Sequence, residues 1–514
     1  MKNFLTSSIA ATNMAANDTA CCGSNTFKDK EDRKGAFFSG TQSICPTCRR
    51  TIQAKIMFRD GKVVLTKRCH EHGMFEALLS SNVDYWVKSL TYTKPGTKPR
   101  EFSNPVLHGC PDDCGLCEDH EQHTCSPIIE ISNKCDLECP VCIVWNQNTY
   151  DMSFAEFQGI IENLIRKEGN LELCLLSGGE PTLHPRFFEL AEYAASRAEI
   201  KRVLVSSHGI RLAKDDAFAR RFKEAGLYLS LQFDSLKDEN YKAIRGANLL
   251  DLKMKTLEAC EKYDIPTIIV PTVARGYNDD EIGPIVDFAF KYDFVTSVTI
   301  QPAAYTGAGG TSFPFDPMKR LTQFDIHKAI GEQCDWLTAE DFLPIPCSHP
   351  SCYTASYMLK LEDGRFVPLT QFGDVAVYLN MLTNRAILDV DDKAQELVQD
   401  AIYNLWSAQS VTVDTEQVLK SLKAILNEYQ HAGRLEQDQL WKLSETRVKA
   451  VFIHAFMDEY DFEISRIRKC CTHYALPDGR LIPGCSYNNI HRFRDGRLDL
   501  QGVAVPDRRT LNDS

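Results

Sequence analysis

Between residues 126 and about 303, short apolar runs alternate with longer amphipathic stretches. The apolar runs are SPIIEIS at 126–132, LELCLLSGG at 171–179, KRVLVSSHG at 201–209, LYLSLQFDS at 227–235, PTIIVPTVA at 266–274 and SVTIQPA at 297–303. Segments such as FAEFQGIIENLIRK and DEIGPIVDFAFKY lie between them with helical spacing of their apolar residues. Strand–helix alternation predicts βαβ units and a parallel sheet, and six units predict an α/β partial barrel, (β/α)6 and TIM-like. The loops after the strands would then form the working face. Upstream, TIQAKIMFRDGKVVLTKRC reads as two alternating strands joined at Asp60-Gly61, a strong hairpin signal. Downstream of 310 the pattern becomes mixed and, from about 318 to 465, largely helical. Residues 1–40 are rich in Ser, Thr, Asn, Ala and Lys without a sustained period, which predicts a mobile tail.

Cysteine usage changes this picture. The 514 residues include 20 cysteines, and most crowd into tight runs. Disulfide scaffolds are short secreted chains, so tight runs in a long chain point to metal and to a reducing, cytoplasmic setting. Cys174, Cys260 and Cys334 stand alone in apolar or helical contexts and read as buried thiols. Cys21 and Cys22 fall in the expected tail and receive no role.

The run KCDLECPVC places Cys135, Cys139 and Cys142 in C-x3-C-x2-C spacing just after the first core strand. Three thiolates so close can hold three irons of a four-iron cluster and leave one iron without a protein ligand. An open metal position is where chemistry happens. A zinc knuckle borrowing a distant ligand is the alternative. One strand later, Gly178, Gly179, Glu180 and Pro181 also follow a strand, so both motifs would share the working face.

Three further groups invite metal. Cys45, Cys48, Cys69 and His72 make two knuckles joined by the hairpin, a rubredoxin or zinc-ribbon layout for one mononuclear iron or zinc, with His70 a rival to His72. Cys110, Cys114, Cys117 and Cys125 give C-x3-C-x2-C-x7-C, enough to close an auxiliary 4Fe-4S cluster, with zinc the runner-up. Cys347 and Cys352, with Cys470 or Cys471 and Cys485, offer ligands for a second auxiliary cluster. The expected organisation is a tail over 1–40, a metal module over 41–98, an auxiliary iron–sulfur segment over 99–125 and a core over 126–310. A helical substrate-facing region over 311–465 and a C-terminal cluster segment over 466–514 complete it.

Cys135, Cys139 and Cys142 followed by SGGEP resemble the radical SAM superfamily. The resemblance implies that the open iron binds the amino and carboxylate groups of S-adenosylmethionine (SAM). It also implies that Gly178, Gly179 and Glu180 receive the methionine amine, and that Ser206 or Ser207 contacts the ribose, although many relatives read TNG where this chain reads SHG. Arg245 is matched to the SAM carboxylate by loose analogy, with a surface salt bridge as the alternative. From about 41 to 493, CPTC…KRCHEHG, HGCPDDCGLC, PCSHPSC and CTHYALPDGRLIPGCSYN resemble the archaeal tetraether synthase family, proposed also to methylate a dihydropterin. That resemblance implies three four-iron clusters, a rubredoxin-like site and long-chain lipid substrates.

Three functions follow. The first is hydrogen abstraction by a 5′-deoxyadenosyl radical and C–C coupling of lipid chains. The second is radical transfer of a methyl or other carbon group to a pterin or small metabolite. The third, an iron–sulfur electron carrier, has no need of SGGEP. A low-potential donor such as a flavodoxin or ferredoxin is the expected redox partner. The formal charge of −12 opposes nucleic-acid binding. No apolar run reaches the roughly 18 residues of a membrane span, which leaves room only for peripheral membrane contact.

Overall fold

The computed structural model describes residues 35–144, 146, 148–307, 313–385, 415–431 and 445–494. Most of the expected tail, with Cys21 and Cys22, lies outside the described residues; its last few residues begin a strand.

Four antiparallel strands form the N-terminal module in the order β1 (Ala36–Ile44), β2 (Thr51–Arg59), β3 (Lys62–Cys69), β4 (Gly73–Ser80). Asp60 and Gly61 turn the central hairpin with φ of +52° and +71°. Two consecutive left-handed residues are what a tight two-residue hairpin demands. Ala54, Ile56, Val63 and Leu65 pack on Trp86 of helix α1 (Val83–Leu90), and Asn82 caps that helix by accepting from Tyr85 N at 2.7 Å.

The core strands are β5 (Ser126–Ser132), β6 (Cys174–Gly178), β7 (Val203–Ser207), β8 (Tyr228–Gln232), β9 (Thr267–Val270), β10 (Thr272–Val273) and β11 (Val295–Pro302). Helices α2 (Phe154–Glu168), α3 (Phe187–Ala195), α4 (Ile210–Lys214), α5 (Asp216–Glu224), α6 (Asp238–Arg245), α7 (Leu250–Tyr263) and α8 (Ile282–Ala289) connect them. The strands β5-β6-β7-β8-β9-β11 are hydrogen-bonded in that order, every pair parallel, which is the expected six-strand partial barrel. Their outward residues, among them Ile129, Leu176, Val205, Leu229 and Ile269, are buried under the helices.

The C-terminal region keeps helices at Gln323–Gln333, Val375–Met381 and Thr415–His431, and it also supplies strands. These are β12 (Leu343–Pro344), β13 (Tyr353–Lys360), β14 (Phe366–Pro368), β15 (Val448–His454), β16 (Thr472–Ala475) and β17 (Leu481–Pro483). β15 pairs parallel with β11, and β16 pairs parallel with β5, so both edges of the core sheet are covered. The six inner residues of β13 are all buried. A strand covered on both faces loses the in–out alternation that would announce it.

The module docks on the core through buried polar contacts. Lys67 Nζ donates to Glu459 O at 2.6 Å and to Ser43 Oγ at 3.0 Å. Tyr85 meets His327 edge-on with centroids 5.2 Å apart, and His327 bonds Thr354 Oγ1 at 2.9 Å.

Candidate active site

The cysteine loop begins where β5 ends, and side chains brace its root. Asn133 Oδ1 accepts from Thr149 N at 3.0 Å and Tyr150 N at 2.8 Å, and Asn148 Oδ1 accepts from Cys135 N at 3.0 Å. The two glycines of SGGEP press against this root. Gly179 N donates to Ser132 O at 2.9 Å and Glu180 N to Lys134 O at 2.6 Å. A Cβ on Gly178 would stand 2.0 Å from Ser132 O, and one on Gly179 would stand 2.3 Å from Lys134 O. Glycine is required because nothing larger allows the backbones this approach.

Cys135, Cys139 and Cys142 are all partly accessible. Burial pushes the Cys135 thiol up to about 12 and the Cys142 thiol up to about 11. Thiolates there need a cation to pay for desolvation, as a metal cluster does. The donor set therefore fits an iron–sulfur cluster held by these three residues.

Glu180 is 1% exposed. Its carboxylate accepts from Thr182 N at 3.0 Å, Thr182 Oγ1 at 2.6 Å, Ser207 Oγ at 2.8 Å and His208 N at 2.9 Å. Glu180 and Ser207 thus face each other and tie the end of β6 to the end of β7. His208 extends the tie. Its Nδ1 accepts from Ile210 N at 3.2 Å, so Nε2 carries the proton and donates to Asp136 Oδ1 at 2.7 Å. That bond holds the Asp136 carboxyl below its usual range. The histidine that distinguishes SHG from TNG therefore anchors the cysteine loop, a role sequence reasoning missed. Asp136 beside Cys135 was the available signal.

Arg245 lies in the interior, not in a surface salt bridge. It forms a two-pronged pair with Asp234, both contacts 2.8 Å, and donates to Thr272 Oγ1 at 2.9 Å. Burial opposes its charge, but Asp234 and then the thiols of Cys139 and Cys142 outweigh that cost and raise its pKa. Lys253 of α7 is also buried, donating to His208 O at 2.6 Å and Gln232 Oε1 at 2.8 Å, and burial pushes it down to about 7. A lone lysine in an amphipathic helix gave no sequence signal for this.

One cavity adjoins these groups, and a second lies deeper in the barrel among residues that belong to none of them. The first, about 290 Å³, lies between Gly178, Gly179 and Asn146 on one side and Tyr474, Tyr487 and Arg492 on the other. The second, about 200 Å³, occupies the barrel lumen among Ile128, Leu175, Leu204, Val270, Tyr357 and Phe452.

Of the remaining cysteines, the ribbon set gathers as its spacing predicts, and the others regroup. In the N-terminal module the ligand atoms of Cys45, Cys48, Cys69 and His72 all lie within 4.8 Å of one another, and the imidazole turns Nδ1 inward, 3.4 Å from Cys69 Sγ. Cys114 contacts Cys110, lies near Cys117 and accepts from Ser486 Oγ at 3.1 Å. Cys125 does not join them; it contacts Cys347 and Cys471. Strand register explains the exchange. Thr472 pairs with Ser126, and Cys125 N donates to Cys471 O at 2.9 Å, so the thiols preceding both strands meet. Cys471, Cys485 and Cys352 act on Cys470, whereas Cys347, expected in the same set, lies with Cys125 instead. Arg466 Nε donates to Cys352 Sγ at 3.2 Å, and its charge also acts on Cys485.

The partial barrel, the three-cysteine loop and the glycine-backed strand end define a radical SAM enzyme, and residues 129–289 match the radical SAM superfamily. Residues 37–81 match the HMPTM N-terminal zinc ribbon domain. The 7,8-dihydro-6-hydroxymethylpterin dimethyltransferase of Methanocaldococcus jannaschii is 32% identical over 488 residues, covering 88% of this chain and 94% of the relative. The chain belongs to the family of that enzyme within the radical SAM superfamily. The GTP 3′,8-cyclase of Syntrophomonas wolfei is 30% identical over 184 residues, 34% of this chain and 55% of the relative. A radical SAM methyltransferase structure from Sphaerobacter thermophilus aligns with a TM-score of 0.29 and 12% identity over 58% of this chain and 75% of that one. Membership implies a 4Fe-4S cluster and SAM, and the ribbon and the other cysteine groups fit additional metal. Among the described residues, no helix is long and apolar enough to cross a membrane.

Proposed function

We propose that this enzyme transfers a methyl or other one-carbon group to a pterin or a similar small heterocycle, rather than coupling lipid chains. The observation that carries this reading is the match to a named pterin dimethyltransferase over 88% of this chain and 94% of that relative. With cluster and SAM bound, the chemistry supplied would be one-electron cleavage of the sulfonium and hydrogen abstraction by the carbon radical released, with the transferred carbon coming from a separate one-carbon donor such as a second SAM. Cys135, Cys139 and Cys142 would hold the cluster, and Gly178 and Gly179 would let SAM lie close to the backbone. The Arg245–Asp234 pair and Lys253 form the buried polar floor behind the cysteine loop. A low-potential flavodoxin or ferredoxin fits the need for single electrons.

The lumen itself favours a second reading, an aliphatic substrate. The pterin reading is preferred because the relative aligned over 88% of this chain is named for a pterin substrate. The test is anaerobic incubation of cluster-loaded enzyme with SAM, dithionite and 7,8-dihydro-6-hydroxymethylpterin. Methylated pterin in the mass spectrum is expected. Release of 5′-deoxyadenosine with unchanged pterin, together with coupled lipid chains in an expressing host, would overturn the proposal.

A further inference from the structure

Part of the wall of the cavity that borders Gly178 and Gly179 is built from segments that meet only in three dimensions. Glu130 projects from β5, and Arg492 reaches it from the C-terminal segment. The two form a two-pronged ion pair, with Nη1 to Oε2 at 2.8 Å and Nη2 to Oε1 at 2.7 Å. Asn488 Oδ1 accepts from the same guanidinium at 2.9 Å and 3.3 Å and sets its plane. The rings of Tyr474 and Tyr487 stand 4.6 Å apart, and the guanidinium carbon lies 4.5 Å from the Tyr487 centroid.

A purely structural clasp would not need this chemistry. Burying an ion pair gains little over well-packed apolar side chains. The side chain of Arg492 is 6% exposed and that of Glu130 is 19% exposed, so the carboxylate is the member that reaches the cavity. A carboxylate has about four acceptor positions, and the guanidinium occupies two. Across the cavity, Asn146 Oδ1 is buried and has no hydrogen-bond partner among the described residues. Such an unmet acceptor is costly unless a ligand supplies a donor. Two acceptors, the Glu130 carboxylate and Asn146 Oδ1, thus line one cavity, with the packed rings of Tyr474 and Tyr487 beside them.

We propose that Glu130, held by Arg492 and packed beside Tyr474 and Tyr487, is a recognition group for the substrate, and that it accepts from the N–H edge of a planar heterocycle, the donor pattern of a 2-amino-4-oxopyrimidine ring. Glu130 accepts from the N–H edge, Arg492 and Asn488 hold its carboxylate in place, and Tyr487 packs beside the pair. The assignment rests on the one-carbon-transfer reading and names the residues that would read its substrate.

The test uses the full cluster-loaded chain under anaerobic conditions. Affinity for 7,8-dihydro-6-hydroxymethylpterin and, separately, for SAM is measured by equilibrium dialysis. In Glu130→Gln, pterin affinity should fall about tenfold or more, the usual consequence of losing a charge-assisted hydrogen bond, while SAM affinity moves less than about twofold. Tyr487→Leu leaves the ion pair in place and should weaken pterin binding by about threefold or more. It carries the test if Glu130→Gln loosens the C-terminal segment. Unchanged pterin affinity in both variants, with the wild type binding, overturns this assignment alone. A parallel loss of SAM affinity assigns the wall to SAM and overturns it too. A wild-type enzyme that neither binds nor methylates the pterin removes both the assignment and the reading beneath it.

Discussion

The ribbon and the 135–142 loop use the same ligand chemistry in opposite ways. In the ribbon, the ends of β1 and β3 and the tight turn into β4 carry Cys45, Cys48, Cys69 and His72, and hairpin hydrogen bonds bring the four ligand atoms within 4.8 Å. That site is closed, and closed tetrahedral sites contribute to folding. In the loop, three thiols sit outside the sheet, braced by Asn133, Asn148 and the His208–Asp136 bond and backed by two glycines. It leaves room for a cofactor. Whether a cysteine group serves stability or reaction is set less by the sulfurs than by what holds the backbone around them.

The sharpest break of this comparison is Cys139→Ala. Release of 5′-deoxyadenosine should drop by a factor on the order of 10³ or more, as when an essential member of a catalytic unit is lost, while the ribbon retains its metal by elemental analysis. Retained cleavage would end the assignment of the loop.

The converse change, Cys48→Ser, should release the ribbon metal and cost more than about 4 kcal/mol in that module, the range reached when a structural metal is lost. Hydrogen exchange over residues 36–80 would show it, and SAM cleavage by the core should persist. Cleavage that vanished along with the ribbon metal would mean the two regions are not separable.

Gly179→Ala tests the brace rather than the ligands. Its methyl would stand 2.3 Å from Lys134 O and 2.9 Å from Asn146 Oδ1, so the loop must shift at about 1–3 kcal/mol. SAM affinity should fall while cysteine content and iron loading stay intact.

The smallest expected effect concerns the seam between the regions. His327, packed on Tyr85 and Thr354, is pushed by burial down to about 3 from its usual 6.5. Between those values the unfolded chain binds the proton and the folded chain does not. The contribution is therefore complete above pH 6.5 and is lost as pH falls toward 3. Urea titrations at pH 6.5 and pH 4.5 should show His327→Gln removing up to about 1.4 kcal/mol per pH unit of acid sensitivity. An unaltered slope would show that this seam does not titrate.

Much of this architecture was legible in the sequence, for identifiable reasons. The six core strands announce themselves because each is a short apolar run between amphipathic helices. The ribbon was legible because Asp60-Gly61 fixes the hairpin that carries its knuckles. By contrast, β13 is buried along its length and β16 is four residues long, so neither offers a period to read. Glu180 and Ser207 were picked out by motif, yet their mutual hydrogen bond depends on how β6 and β7 lie side by side.

The sequence alone determined which residue types are present and the short-range spacing that makes CxxxCxxC and the ribbon knuckles competent for metal, because those distances are set within a few bonds. Only the tertiary structure decided that Cys125 meets Cys471 rather than Cys117, and that Glu130 meets Arg492. Those meetings follow from β16 adding to the edge of β5 in one register, and strand register is chosen by packing between distant segments that no local pattern encodes.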